Sequence, residues 1–300
     1  MSRTLLRLAL VAVIAVGLAA CDSTDSDGPG TTAGTLNLAF SGLDPLANGF
    51  HYEGWVMIDG APVTTGKFNV SDSGGLVTLQ GAAIANGAFE VDRLDDAAAF
   101  VLTIEPAGDT DAVPAATKLI GGDFGGASAA LSTAHPATLG SDFASVAGQY
   151  IIATPTSAAM DDEASGIWFL DVASGGPVAG LDLPTLPEGW AYEGWVVLNG
   201  SPLSTGTFLD AAMADVAAPF SGAQPGPPFP GEDFLVNAPA GQAFPTDLAG
   251  ATVVISVEPS PDDSPAPFAA KPLLGTVSTP AAAGALGQNL GSLPTGTARR

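Results

Sequence analysis

The chain has 300 residues, which is enough for one large domain or two domains of ordinary size. Its 31 acidic residues outnumber its 8 basic ones and give a formal net charge of −23, which argues against DNA or RNA as a partner. A single cysteine excludes an internal disulfide framework, and two histidines leave few ligands for a His-based metal site. We therefore predict no cofactor.

The first twenty residues have the pattern of an export signal. Arg3 and Arg7 precede a run without charge at 8–20, which is shorter than the roughly 20 apolar residues that a membrane-spanning helix needs. The run ends in Leu-Ala-Ala-Cys, which resembles the bacterial lipoprotein signal, so Cys21 is the expected lipidation site. We predict a signal peptide at 1–20 and an acidic, flexible tether at 21–33. The anchored protein would lie in the cell envelope, on the periplasmic face or on the outer surface.

The rest of the chain contains an internal duplication. Residues 52–68 (YEGWVMIDGAPVTTGKF) and 192–208 (YEGWVVLNGSPLSTGTF) are identical at ten of 17 positions. A second pair of similar segments follows, FVLTIEP at 100–106 and VVISVEP at 253–259. The different spacing is absorbed by a Pro- and Gly-rich insertion at 219–231. The duplication predicts a first domain at 34–147 and a second domain at 148–300.

Each copy has the pattern of β-strands. Asp59-Gly60 and Asn199-Gly200 follow the YEGW strands and are typical of the type I′ turns that close two-residue hairpins. Alternation of apolar residues over 100–104 predicts a half-buried strand. No segment offers an uninterrupted amphipathic helix of normal length. The predicted fold class is therefore all-β, with two tandem antiparallel β-sandwich-like domains after the signal peptide and tether.

The repeated block resembles the extracytoplasmic domain of anti-sigma-K factors over about 70 residues in each copy. The matching residues are Tyr52, Trp55, Gly60, Pro62, Gly66, Phe68, Glu105 and Pro106, and again Tyr192, Trp195, Gly200, Pro202, Gly206, Phe208, Glu258 and Pro259. The resemblance implies a β fold, a place in the envelope and a role in sensing or in binding partners. The sequence has neither the sigma-binding cytoplasmic domain nor the transmembrane helix of that family, so we expect no direct contact with a sigma factor.

The repeated carboxylates have two interpretations. The pairs Glu53/Glu193 and Glu105/Glu258 are candidate acid–base groups for a hydrolase. Each glutamate also suits a strand end, where its carboxylate binds backbone N–H groups at a turn, and we favour this second interpretation. The tryptophans Trp55 and Trp195 are expected core residues that are also candidate ligand platforms. With Tyr52, Tyr192, Gly60 and Gly200, these residues form a set that is structural or in contact with a ligand.

Two further groups are assigned no chemistry. His51 is interpreted as a surface histidine because its counterpart in the second copy is Ala191. The acidic run Asp161, Asp162 and Glu163 is expected to be a solvated loop, with calcium binding as the alternative. No residue is assigned as catalytic, cofactor-binding or metal-binding.

The sequence as a whole favours a non-enzymatic, lipid-anchored envelope protein. We expect it to bind a protein partner or a small ligand through the repeated hairpins and the insertion, because function concentrates in loops on rigid sheets. The alternatives are an envelope hydrolase that uses the paired glutamates and a surface adhesion or matrix lipoprotein. A third is a regulatory lipoprotein that contacts a membrane-bound anti-sigma factor of the same fold.

Overall fold

A computed structural model describes residues 33–173, 175–261 and 264–300. The expected signal peptide, the lipidation site Cys21 and all of the tether but Ala33 lie outside the described residues. The structure is 43% strand and 3% helix, which confirms the all-β fold class. Within the described ranges, no helix has the length and apolar character to cross a membrane.

The first copy contains strands β1 to β8 and two short 3₁₀ helices. The strands are β1 (Ala33–Ser41), β2 (His51–Ile58), β3 (Ala61–Val70), β4 (Leu76–Val77), β5 (Ala88–Asp92), β6 (Ala97–Glu105), β7 (Lys118–Asp123) and β8 (Ser128–Ser132), with the 3₁₀ helices at Ala85–Gly87 and Leu94–Asp96.

The second half of the chain contains strands β9 to β20. They are β9 (Ala147–Ile152), β10 (Gly166–Trp168), β11 (Leu170–Asp171), β12 (Val178–Ala179), β13 (Leu181–Asp182), β14 (Trp190–Leu198), β15 (Ser201–Phe208), β16 (Gly231–Asp233), β17 (Thr252–Pro259), β18 (Leu273–Thr276), β19 (Gly284–Gln288) and β20 (Thr295–Arg299), with a 3₁₀ helix at Leu290–Ser292.

The strands form two large antiparallel sheets. The first sheet has the order β4-β3-β2-β6-β7-β8-β20-β1-β5, and the second has the order β15-β14-β17-β18-β19-β9-β10-β16, with β13 also paired to β9. Strands β11 and β12 form a separate two-stranded sheet. The order β3-β2-β6-β7-β8 in the first sheet is the order β15-β14-β17-β18-β19 in the second, so the sequence duplication is a duplication of structure.

The hairpins of the two copies have the same geometry. Asp59 and Gly60 have φ of +53° and +79°, and Asn199 and Gly200 have φ of +50° and +82°. Two successive positive φ angles are those of a type I′ turn, as the sequence predicted. Each hairpin also contains a β-bulge, because the register shifts after Gly54 in β2 and after Gly194 in β14.

The strand predicted to be half-buried is buried on both faces, so this expectation was wrong. Strand β6 runs over Ala97–Glu105, and Val101, Thr103 and Glu105 are as inaccessible to solvent as the apolar residues between them. The physical reason is the loop between β6 and β7, which covers the second face and is attached to it by a hydrogen bond from Ala115 N to Glu105 Oε1. Alternation along a strand does not reveal such a loop.

The last strand departs from the expected domain boundaries. Strand β20 lies in the first sheet, between β8 and β1, and not with the rest of the predicted domain 148–300. Its residue Ala298 pairs with Leu38 of β1 on one side and with Ala129 of β8 on the other, so β20 joins these two strands. In the second sheet, β9 takes the corresponding place between β19 and β13. Both sheets belong to the single compact unit Thr32–Arg300 and share one apolar core.

The bulge glycines leave no room for a side chain. A Cβ atom at Gly54 would lie 2.4 Å from Thr65 Oγ1 and 3.0 Å from the Phe100 ring. We expect Gly54→Ala to lower the free energy of unfolding by about 1–3 kcal/mol, the usual cost of overpacking, in urea denaturation. Gly291→Ala is the matched control, since a Cβ there meets open space. Equal stability of the two variants would contradict the close packing of the bulge.

Candidate functional site

A buried chain of hydrogen bonds links the tryptophan and the glutamate of the first repeat. Trp55 Nε1 donates to Thr103 Oγ1 over 2.9 Å, and the Thr103 hydroxyl donates to Glu105 Oε1. The same carboxylate oxygen accepts from Ala115 N at 3.0 Å. Glu105 therefore ties the end of β6 to the loop that covers it, and the Trp55 ring is held at a fixed angle on the same face.

The second repeat contains the same chain with serine in place of threonine. Trp195 Nε1 donates to Ser256 Oγ over 2.8 Å, the Ser256 hydroxyl donates to Glu258 Oε1, and Phe268 N donates to Glu258 Oε1 over 2.8 Å. In both copies the glutamate binds a backbone N–H beyond the strand, as in the interpretation favoured from the sequence. These contacts position a loop and leave the carboxylates buried.

The other pair of glutamates lies at the hairpins. Glu53 Oε1 accepts from the Thr64 hydroxyl, and in the second copy Glu193 Oε1 accepts from the Ser204 hydroxyl. In the first copy alone, Lys67 stands opposite Glu53, with Nζ 3.6 Å from Glu53 Oε2 and 2.7 Å from Asp109 Oδ2. The two copies thus share the scaffold and differ in charge at this position.

Burial and the charge of the lysine determine the pKa values of Glu53, Lys67 and Asp109 in the first copy. Burial raises the pKa of Glu53, against the effect of the Thr64 hydrogen bond and the Lys67 charge. Burial also acts to lower the pKa of Lys67, but the hydrogen bond to Asp109 and the attraction of Glu53 outweigh it, so this pKa is raised. The hydrogen bond from Lys67 lowers the pKa of Asp109. The lysine is therefore held in its charged form.

The remaining repeat residues are structural anchors. The Tyr52 hydroxyl donates to Asp44 O over 2.9 Å, and the Tyr192 hydroxyl donates to Pro184 O over 2.6 Å, so each phenol fixes the segment that precedes its strand. Burial raises the pKa of both phenols, which keeps them protonated donors. Gly60 and Gly200 lie at the hairpin turns, away from these contacts.

An apolar groove opens beside Trp55. It has a volume of about 320 Å³, and its apolar walls include Trp55, Met57, Val101 and Val113. Val113 belongs to the loop that Glu105 holds, and 67% of its surface is exposed. Lys118 and His135 are the polar side chains that line the groove. The hydrogen-bond chain beneath it therefore holds both the buried Trp55 ring at the floor of the groove and the loop that carries the exposed Val113.

Asp215 lines a second cleft, and two buried carboxyl groups lie behind it, none of which the sequence analysis singled out. Glu232 and Asp233 lie on β16 and are fully buried, and Asp215 accepts a hydrogen bond from Gly231 N at 2.9 Å. Asp233 accepts from Trp168 Nε1 and from Thr156 N, each at 2.8 Å. The cleft beside them has a volume of about 350 Å³.

The insertion at 219–231 builds this cleft. A Cβ on Gly226 would lie 2.6 Å from the Trp168 ring, so the insertion packs closely on that tryptophan. Its last residue begins β16, and Phe229 just before it is buried. The sequence signal for this group is the position of the polar Glu232 and Asp233 between the apolar Phe229 and Phe234, which are both buried. The insertion therefore packs against the second sheet, which its last residue, Gly231, joins.

Burial changes the acid–base behaviour of the cleft. It raises the pKa of Asp215 to about 7, with a smaller contribution from the charge of Glu232. It also raises the pKa of Glu232 to about 7, although hydrogen bonds from Ser221 and from backbone N–H groups act in the opposite direction. Burial raises the pKa of Asp233 as well, against its hydrogen bonds from Thr156 and Trp168. The Asp215 and Glu232 carboxyls therefore exchange protons near neutral pH.

His51 and the acidic run at 161–163, to which the sequence assigned no chemistry, lie in different surroundings. His51 is not a surface residue, because only 3% of its surface is exposed, and the expectation was wrong. The strand that carries it is covered by the loop after β6, as β6 itself is. In the acidic run, Asp162 accepts from Thr154 Oγ1 at 3.0 Å and from Ser157 Oγ at 2.6 Å. Among the described residues, the group of three potential metal ligands lies elsewhere, at His51, Glu53 and Asp109.

The raised pKa of Glu232 predicts how stability depends on pH. Its pKa rises from 4.5 to about 7 on folding, so its contribution to stability is complete below pH 4.5 and is lost as the pH rises through 7. A glutamine at this position does not ionise, so no buried charge forms as the pH rises. We expect the free energy of unfolding of Glu232→Gln to exceed that of the natural protein by an amount that grows from pH 5 to pH 8 and reaches up to about 3 kcal/mol.

Urea denaturation at several pH values measures this difference. The matched control is Glu188→Gln, since Glu188 is exposed and a surface substitution there should change stability by at most about 0.5 kcal/mol. A parallel pH dependence of Glu232→Gln and the natural protein would show that the Glu232 carboxyl titrates equally in the folded and unfolded chains.

Comparison of the chain with models of protein families, with curated proteins and with solved structures finds no match. The functional proposal therefore rests on the repeated residues, the apolar groove and the two charged groups described above.

Proposed function

We propose that this protein is a non-enzymatic envelope protein, lipid-anchored at Cys21, that binds a protein partner through its first anti-sigma-K-like copy. The contact site is the apolar groove beside Trp55. The observation that carries the proposal is that this groove is open, apolar and rigidly supported from beneath. The role in sensing or regulation is the one that the family resemblance implies.

The groove is suited to an apolar side chain of a partner. Here the lining is apolar apart from Lys118 and His135. A Leu or Phe side chain buried in a pocket of this kind contributes about 1.5–3 kcal/mol to binding. Because the Trp55 ring is held by Thr103, little ordering of the groove is needed when the partner binds.

The charge of the chain limits the kind of partner. A formal net charge of −23 repels acidic proteins and anionic lipid surfaces and attracts a surface that carries lysine or arginine. The expected partner therefore presents an apolar side chain surrounded by basic residues. Acyl chains at Cys21 would hold the protein in the envelope, where two or more chains give stable anchoring.

A charge in the groove should prevent this contact. Val113→Glu places a carboxylate at an exposed position of the wall, so the fold should be retained. We expect binding of an apolar fluorescent dye to the purified protein to weaken about tenfold, which corresponds to the loss of one buried aliphatic side chain. In intact cells, a photo-crosslinking amino acid at position 113 should give one discrete crosslinked protein.

Position 160 provides the matched control. Met160 is exposed and does not line the groove, so Met160→Glu should leave dye binding unchanged and a crosslinker there should give no discrete product. Unchanged dye binding in Val113→Glu, or no crosslinked protein at position 113, would overturn the proposal. Dye binding without a crosslinked protein would favour a small apolar ligand instead.

The hydrolase alternative predicts a different response at Glu105. If this carboxylate were catalytic, its replacement would abolish turnover and leave stability unchanged. We expect Glu105→Ala to lower the free energy of unfolding by about 1–3 kcal/mol, because Ala115 N and the Thr103 hydroxyl lose their acceptor. It should also abolish the crosslink at position 113, because the loop that carries Val113 is released.

The second copy supplies the control for this experiment. Glu258→Ala should cost similar stability, since Glu258 makes the same contacts to Ser256 and Phe268, but should keep the crosslink at position 113. Retained stability in Glu105→Ala, with loss of a measurable hydrolytic activity, would support the hydrolase.

A further inference from the structure

A group of potential metal ligands lies on the buried face of the first hairpin. His51 and Glu53 are two residues apart on β2 and therefore point to the same face of the sheet. Asp109 reaches them from the loop after β6. One ligand atom from each of these three residues lies within 4.8 Å of the others.

The hydrogen bond of His51 fixes which ring nitrogen faces the group. Nδ1 lies 3.2 Å from Gly49 O, and because a carbonyl oxygen only accepts, Nδ1 carries the proton. In the neutral tautomer that binds metals, Nε2 therefore presents a lone pair. This atom is buried and has no hydrogen-bond partner among the residues that the structure describes. Metal-binding histidines are oriented in this way, with the other ring N–H donated to a backbone carbonyl.

The unsatisfied Nε2 acceptor destabilises the folded protein, and the hairpin can form without it. A buried polar atom without a partner destabilises a protein by about 1–3 kcal/mol. The second copy forms the same hairpin with Ala191 at the position of His51 and Thr207 at the position of Lys67, and keeps only Glu193. The histidine and the lysine are thus dispensable for folding of this hairpin, so their presence in the first copy calls for another explanation.

Lys67 shows that the group attracts a cation. Its Nζ donates to both Asp109 O and Asp109 Oδ2 at 2.7 Å and lies 3.6 Å from Glu53 Oε2. Asp109 takes two of the three N–H donors of this ammonium group, and Nζ makes no hydrogen bond to His51 Nε2. The lysine side chain is 26% exposed, so it has a path to solvent if another cation takes its place.

We propose that His51 Nε2, Glu53 and Asp109 bind one zinc ion, which displaces the Lys67 ammonium. One nitrogen and two carboxylate ligands suit Zn²⁺, whereas Ca²⁺ prefers six to eight oxygen ligands. Tetrahedral zinc with bonds of 2.0–2.2 Å separates its ligand atoms by roughly 3.4 Å, so these side chains, whose ligand atoms lie within 4.8 Å of one another, need to approach by up to about 1.4 Å. Three protein ligands leave a fourth position of the metal open to a group from outside the chain.

The two copies supply the variants that test the site. The full lipidated chain in detergent is titrated with ZnCl₂ in a calorimeter, and the melting temperature is measured with and without zinc. We expect one zinc ion per chain and a higher melting temperature with zinc. His51→Ala installs the residue of the second copy and should weaken zinc binding at least a hundredfold. Lys67→Thr likewise copies position 207 and should tighten zinc binding, because it removes the competing ammonium.

Further variants distinguish a metal site from a structural ion pair. Asp109→Asn should weaken binding as His51→Ala does, and it keeps the test valid if His51→Ala fails to fold. His135→Ala, which removes the other histidine, should leave binding unchanged. Absence of zinc binding, or zinc binding that survives both His51→Ala and Asp109→Asn, would overturn the proposal. A Lys67→Thr variant that loses stability and gains no affinity would show that the group is only an ion pair.

Discussion

The buried hydrogen-bond chain from tryptophan through a hydroxyl to glutamate is the interaction on which the rest of each copy depends. A carboxylate removed from water needs donors, and here the donors come from a neighbouring side chain and from a backbone N–H some ten residues further along the chain. The chain therefore couples three things that are far apart in sequence: the hairpin strand, the strand beside it and the covering loop. Threonine and serine exchange at the middle position without changing the pattern, because only the hydroxyl is used.

Much of this arrangement could be predicted from the sequence because it depends on local chemistry. Asp59-Gly60 and Asn199-Gly200 specify their turns through backbone preferences that few other residue pairs share. The place of Glu105 and Glu258 before a proline marks a strand end, where a carboxylate finds backbone N–H groups. These features act within a few residues of one another, and a pattern of residues describes them well.

The features that the sequence did not predict depend on long-range packing. Strands β2 and β6 are buried on both faces because a loop folds over them, and alternation says nothing about that loop. His51 was interpreted as a surface residue for the same reason. The carboxyls of Asp215, Glu232 and Asp233 meet only when β16 joins the second sheet, and their altered pKa values arise from burial that no spacing of residues indicates.

The position of β20 has a consequence for how the protein is made. Synthesis proceeds from the amino terminus, so β1 and β8 emerge long before residues 295–299, which lie between them in the finished sheet. Until then, both strands have open edges of the kind that lead to aggregation. The first copy is thus translated first and completed last. A protease cut in the segment between the copies would nick the protein without releasing either half.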